Sequence, residues 1–167
     1  MNAIIRRLAW LLLLLPAITW AQQTRLNAYQ TVDLPVPASQ AWAAINDFSN
    51  LSGWHPVFSA SVLTGGRNNT PGATRRLTVK DGPSFDEELL SFDAANRRLS
   101  YRIIGENELP IANYESTIAV ISTGRNSSAV LWQGSYNAKP GNDDAEMIKF
   151  IEGVYRAGLD NLKSIVR

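Results

Sequence analysis

The chain has 167 residues, with 16 basic and 15 acidic side chains, one histidine and no cysteine. The lack of cysteine excludes disulfides, thiolate metal sites and a cysteine nucleophile, and a lone histidine leaves only carboxylates as further ligands, so neither a catalytic metal nor a cofactor is expected. A near-neutral chain has little electrostatic hold on a phosphate backbone, which excludes nucleic acid as an expected partner.

The N-terminus reads as an export signal. Arg6 and Arg7 form a basic region, residues 8–18 an apolar run interrupted by Pro16, and Thr19-Trp20-Ala21 a small-residue exit. That run is well short of the roughly 20 apolar residues a membrane span needs. Cleavage after Ala21 removes two arginines and leaves one domain, residues 22–167, with 14 basic against 15 acidic residues and no stable membrane anchor. A domain of this size without disulfides relies on its hydrophobic core, which suits a periplasmic or secreted bacterial protein.

Leu26, Ala28, Val32 and Leu34 alternate with Asn27, Thr31 and Asp33, which predicts a half-buried strand with Gln30 as the exception. Pro35 and Pro37 end it. Ala41, Ala44, Ile45 and Phe48 then recur at helical spacing beside Trp42, the stripe of a short helix. Turn residues follow from Asn50 to Trp54-His55-Pro56, with room for a second helical turn.

Strands resume at residues 58–64 and, after a loop rich in glycine and asparagine, at 74–80, where Leu77 and Val79 share a face. Asp81-Gly82-Pro83 predicts a tight turn. Residues 85–92 predict a strand of uncertain parity, because Glu87-Glu88-Leu89-Leu90 fits either face. Leu99, Tyr101 and Ile103 alternate on the next strand, Tyr114, Ser116, Ile118 and Val120 on the one after. Val130, Trp132, Gly134 and Tyr136 mark the last. Strands so spaced predict an antiparallel meander. The chain closes with a helix over residues 143–165, with Asp143 and Glu146 as a near capping box and Met147, Ile151, Val154, Gly158, Leu162 and Ile165 as its apolar stripe. Gly153 and Gly158 inside it imply that something approaches closely. A curved sheet around one helix does not fill its own interior, so the layout predicts a small-molecule cavity.

This order of elements, with Trp54-His55-Pro56, Asp81-Gly82, Phe92-Asp93, Tyr101-Arg102-Ile103, Leu109-Pro110 and Asn113-Tyr114-Glu115-Ser116, resembles the START/Bet v 1-like (SRPBCC) superfamily, and within it the bacterial polyketide cyclase/dehydrase and lipid transport members. The resemblance covers residues 25–166 and implies an α+β helix-grip fold, a seven-stranded antiparallel sheet curled around the C-terminal helix. A more distant resemblance to plant abscisic-acid receptors implies a gate at Asp81-Gly82-Pro83-Ser84 and a latch at Glu108-Leu109-Pro110. It implies pocket positions at Val79, Glu87, Tyr101, Ile103, Tyr114, Ser116, Phe150 and Val154. The receptor's ligand-binding lysine falls on Trp54, so an anionic ligand held by a buried lysine is not implied.

His55 is open to two readings, a general base or donor at the cavity mouth, and a structural corner bonded to backbone. Asp86, Glu87 and Glu88 form an acidic cluster that reads as solvated, with Glu87 placed inside by the resemblance, where burial raises its pKa. Tyr101, Tyr114, Trp132 and Tyr136 share a face, either as core aromatics or as cavity lining. No nucleophile elbow, phosphate-cradling loop or dinucleotide fingerprint is present. The expectation is an exported carrier or sensor of a small apolar molecule, such as a lipid, polyketide or other aromatic. The alternatives are a cyclase or dehydratase using His55, Glu87 or a tyrosine, and an interaction module with a collapsed interior. The mature protein is expected to begin at or near Gln22 and to stay soluble without detergent. N-terminal sequencing of protein from its own host checks this, and intact residues 1–21 on membrane-extracted protein would refute it.

Overall fold

Alternation sets β1 (Leu26–Leu34), where Leu26, Ala28, Val32 and Leu34 are buried and Gln30 is only half-buried. The computed structural model describes residues 25–166, so the export segment lies outside the described residues. β2 (Phe58–Gly65), β3 (Thr74–Val79), β4 (Ser84–Asp93), β5 (Arg98–Ile104), β6 (Ile111–Gly124) and β7 (Ser127–Ala138) complete one antiparallel sheet in the order β1-β7-β6-β5-β4-β3-β2. Two helices, α1 (Ala38–Ile45) and α2 (Asp144–Ile165), and a 3-10 segment at Phe48–Gly53 make up the rest. This is the α+β helix-grip fold expected from the resemblance.

Two irregularities explain what alternation left open. β4 points Phe85, Glu87 and Leu89 inward, then shifts register against β5 between Leu89 and Ser91. Past that bulge Phe92 packs on Trp42 of α1, with ring centroids 5.6 Å apart. β6 breaks register with β7 between Ala112 and Glu115, where Asn113 takes a positive φ of 53°. The extra residue lets both Ile111 and Tyr114 face the core.

The Asp143 carboxylate caps α2 by accepting the Glu146 N–H at 3.0 Å. The buried face of the helix is Ile151, Tyr155, Gly158, Leu159 and Leu162. This corrects the predicted stripe. Tyr155 and Leu159 belong to it, Val154 sits at its margin, and Ile165 is exposed, because the helix is turned about its axis to bring Tyr155 under the sheet.

α2 packs chiefly against β1, to which Arg156 reaches through the Gln30 side-chain oxygen and the Thr31 carbonyl. Tyr136 donates to the Met147 carbonyl at 3.1 Å, and the Asn161 amide to the Trp54 carbonyl at 2.8 Å. The two helix glycines differ. A Cβ on Gly158 would stand 2.7 Å from His55 Nε2 and 3.1 Å from a Trp132 ring carbon, whereas one on Gly153 meets nothing within 4 Å. Close approach therefore explains Gly158 alone. Gly153→Ala should stabilise by up to about 1 kcal/mol through helix propensity. Gly158→Ala should destabilise by about 1–3 kcal/mol through overpacking. Thermal unfolding of the two variants, which should shift in opposite directions, checks this.

Candidate functional site

The offset of α2 toward β1 keeps the helix from packing close against the inner faces of β3, β4 and β5. A cavity of about 130 Å³ occupies the space between them. From the sheet, Val79, Glu87, Tyr101, Ile103 and Tyr114 wall it, with Trp132 of β7 beside them. Leu109 closes it from the β5–β6 loop, and Phe150, Ile151, Val154 and Tyr155 from α2. Phe150 is 43% exposed and so stands at the mouth. A broader trough on the outer sheet face, lined by Asn27, Leu90, Ser100, Thr117 and Gln133, mixes polar and apolar surface and is open to solvent.

Four expected lining residues do not touch the cavity. Trp54 is buried behind it, its ring 5.7 Å from that of Trp132 and its carbonyl held by Asn161. Pro83 lies in the β3–β4 turn, where its carbonyl accepts the Val79 N–H at 3.0 Å. Pro110 accepts the Lys139 N–H at 2.9 Å on the far side of the β5–β6 loop. Ser116 is buried under the aromatic wall and supports it through hydrogen bonds. Of the acidic cluster, Asp86 and Glu88 pair on the surface with Arg76 and Arg102, while Glu87 is buried.

The buried partner of Glu87 is Arg75, a residue that sequence reasoning passed over. It has the inward parity of Leu77 and Val79 and lies directly across from Glu87 in the β3–β4 register. Its Nε donates to Glu87 Oε2 at 2.8 Å and its Nη2 lies 2.6 Å from the same oxygen. Nη1 donates to the Phe48 carbonyl, and the guanidinium sits 4.2 Å over the Phe48 ring and 5.1 Å over that of Tyr101. Burial pushes the Glu87 carboxyl up from its ordinary value, and Arg75 opposes that. Because a guanidinium does not give up its proton, neutralising Glu87 would strand a buried cation. The pair therefore stays ionised at neutral pH. Glu87 lines the cavity, both Arg75 contacts go to Oε2, and Oε1 receives no hydrogen bond from the described residues.

The phenols form a network whose proton direction is fixed at its ends. Trp132 Nε1–H can only donate, and does so to Ser116 Oγ at 2.9 Å and to the Tyr101 hydroxyl at 3.0 Å. Ser116 gives its proton to the Gln133 carbonyl at 2.8 Å, so at 3.2 Å it accepts from Tyr155. Tyr155 has then spent its proton and accepts from Tyr114 at 2.8 Å. Gly134 permits this, since a Cβ there would strike the Tyr155 hydroxyl. Burial pushes Tyr101 up to about 12 and raises Tyr114 and Tyr155 well above the usual phenol range. These phenols hold their protons at any physiological pH. Tyr155 is the central wall residue missed in the sequence, though its spacing of four from both Ile151 and Leu159 marks it.

His55 is fully buried and outside the cavity wall. Its Nε2 lies 3.0 Å from the Val154 carbonyl and its Nδ1 accepts the Val57 N–H at 3.3 Å. The two partners select the neutral tautomer with the proton on Nε2. Its ring also meets Trp132 edge-on at 5.5 Å and Phe58 at 4.8 Å. Burial lowers its pKa to about 4. The geometry is that of the structural corner. Among the described residues no group of three or more histidine, cysteine, aspartate or glutamate side chains could hold a metal ion.

A model of the family described as polyketide cyclase / dehydrase and lipid transport matches residues 25–167. The protein XoxI from Bacillus cereus is similar in structure, with a TM-score of 0.77 and 30% identity over 84% of this chain and 95% of its own. An uncharacterised Bacillus thuringiensis protein gives 0.75 and 31% over 83% and 96%. The ZhuI aromatase/cyclase from Streptomyces sp. R1128 shares the fold, with a TM-score of 0.71 at 14% identity over 84% and 93%. No curated protein matches the chain.

The lowered pKa of His55 makes stability pH-dependent. Above the ordinary histidine value of about 6.5 the ring is neutral in both states. As pH falls from there toward 4, the unfolded chain takes up a proton that the native ring refuses, so stability is lost across that window. The full loss is about 3 kcal/mol. In urea unfolding at stepped pH, His55→Gln should be less stable at pH 7 and should lose less between pH 6.5 and 4 than the parent.

Proposed function

Since the chain belongs to the polyketide cyclase/dehydrase and lipid transport family, we propose that it is an exported carrier holding one small apolar ligand between the inner sheet face and α2. The observation that supports this is the cavity of about 130 Å³, walled mainly by aromatic and aliphatic side chains and reached beside Phe150. Drug-sized ligands fill roughly 300–1,000 Å³. This volume suits a single ring, or one end of a longer molecule whose remainder stays at the mouth.

The chemistry around the cavity favours holding over transforming. His55 is neutral, turned to backbone partners and outside the wall. The phenols keep their protons, and Arg75 holds Glu87 as a carboxylate. The second reading, a cyclase or dehydratase, rests on Glu87 as the one acid–base group in the wall with a free oxygen. A general base there contributes about 100-fold or more in rate, so Glu87→Gln separates the readings if turnover of a polyketide-like substrate is found. Export is supported by Arg6-Arg7, the apolar run to Ile18 and Ala21.

Val154→Phe tests the carrier reading by placing a ring into the space from the edge of α2. Toluene, a probe of the right size, should bind the parent and not the variant, with the melting temperature changed by less than about 2 °C. In a solid core the same change would cost about 1–3 kcal/mol and several degrees. A large loss of stability, with no toluene bound by the parent, would refute the carrier.

A further inference from the structure

The cavity's acceptors and donors are unequally satisfied, and this defines the ligand more narrowly than apolarity does. The Trp132 N–H, the Ser116 hydroxyl and the phenols of Tyr114 and Tyr155 already spend their protons on one another or on the Gln133 carbonyl. Glu87 is different. Its side chain is 4% exposed and lines an otherwise apolar space, both Arg75 contacts fall on Oε2, and Oε1 receives no hydrogen bond from the described residues. An ionised carboxylate has acceptor capacity for about four bonds, so Oε1 retains capacity for a donor brought in by a ligand.

We infer that the cavity selects a neutral single-ring aromatic alcohol, whose hydroxyl donates to Glu87 Oε1 while its ring lies among Tyr101, Tyr114, Trp132 and Phe150. The inference rests on the carrier reading and narrows it to a ligand class. Four features set that class. Size allows one ring, because an apolar cavity of about 150 Å³ takes up benzene. Ring walls favour an aromatic occupant, through offset and edge-on contacts that an aliphatic chain does not make. Charge excludes an anion, since a carboxylate or phenolate would face Glu87. A cation is disfavoured because Arg75 already balances the carboxylate, and a second positive charge would enter an apolar space uncompensated. What remains is a neutral molecule with one proton to give.

The phenol hydroxyl must leave water to enter, so without a partner inside phenol should bind more weakly than toluene. A preference for phenol therefore reports the hydrogen bond directly. Hydrogen bonds to charged groups correspond to about tenfold or more in affinity. Titration calorimetry of the purified protein with phenol, anisole, toluene and benzoate gives the test. Phenol should bind at least about tenfold more tightly than toluene. Anisole, which keeps the oxygen and lacks the proton, should fall with toluene, and benzoate should not bind.

Replacing the pair by apolar groups, Arg75→Met with Glu87→Leu, should reverse the order in favour of toluene. Such exchanges of a buried ion pair are often neutral for stability. If that variant does not fold, Glu87→Gln, which removes the charge, should cut the phenol-to-toluene ratio several-fold, and the anisole comparison in the parent needs no variant. Toluene bound without preference for phenol, or anisole bound as tightly as phenol, overturns this inference and leaves the carrier reading standing. No ring bound at all overturns both.

Discussion

The close approach of α2 to His55 and Trp132 at Gly158 sets where the helix lies, and with it the shape of the interior. His55 fills the position that a side chain at 158 would occupy and donates to the Val154 carbonyl one turn earlier. Arg156 draws the same stretch toward Gln30 and Thr31 of β1. Held on that side, the helix covers the β1–β7 half of the concave sheet and leaves Val79, Glu87, Tyr101 and Ile103 facing open volume. The lone histidine thus acts on the cavity from behind, as a neutral spacer and not as a reacting group. Protonation would put a second ring N–H on Nδ1 against the Val57 N–H it now accepts from, and burial, which disfavours the charged ring, holds its pKa low.

Around the cavity most of the polar groups are spent on structure. Trp132 stacks on Tyr155 at 4.6 Å while donating to Ser116 and Tyr101, so one indole fixes the position of two phenols and a hydroxyl. Arg75 joins β3 to β4 through Glu87 and to the 3-10 segment through the Phe48 carbonyl. Removing either ion alone would leave the other unpaired where the side chains are 3% and 4% exposed, which is destabilising by about 3–5 kcal/mol. On the opposite wall, the Lys139 ammonium donates to the Asn107 carbonyl at 2.6 Å, and Asn107 Oδ1 accepts the Leu109 N–H at 3.1 Å. The loop carrying Leu109 is therefore tied to the end of β7. Phe150, on the first turns of α2, is the wall residue most open to solvent and so marks the mouth of the cavity.

Most of the architecture was legible because strands buried on one face alternate strictly. β1, β3, β5, β6 and β7 all place inward the residues their period assigns. Alternation fails where the ladder slips, and the β4 bulge between Leu89 and Ser91 is what made that strand's parity ambiguous. In the site, the sequence revealed the sheet wall and Val154 but not Arg75, since a lone arginine beside Arg76 reads as a surface charge until the register sets it opposite Glu87. Tyr155 was hidden by the twist of α2, because Val154 fits a helical stripe equally well. Trp54, Pro83 and Pro110 fell outside the wall for a shared reason. Resemblance places a residue on the right element, but a turn's backbone bonds decide which way it faces.

The empty volume itself carries a free-energy consequence. Cavities left in cores destabilise by about 24 cal/mol per Å³, so the space of about 130 Å³ forfeits about 3 kcal/mol of packing. That is a large share of the roughly 5–15 kcal/mol by which domains are stable. A sequence selected for stability alone could close the space with a larger residue at Val79, Ile103 or Val154, all partly buried aliphatics at its edge. Keeping three small or medium side chains against a wall of large aromatics retains the defect. A ligand at a hundred times its dissociation constant stabilises the native state by about 2.7 kcal/mol, close to the loss. The occupied protein would then regain the stability of a packed core, and the empty one would be the weaker state, so binding is coupled to folding through the same volume.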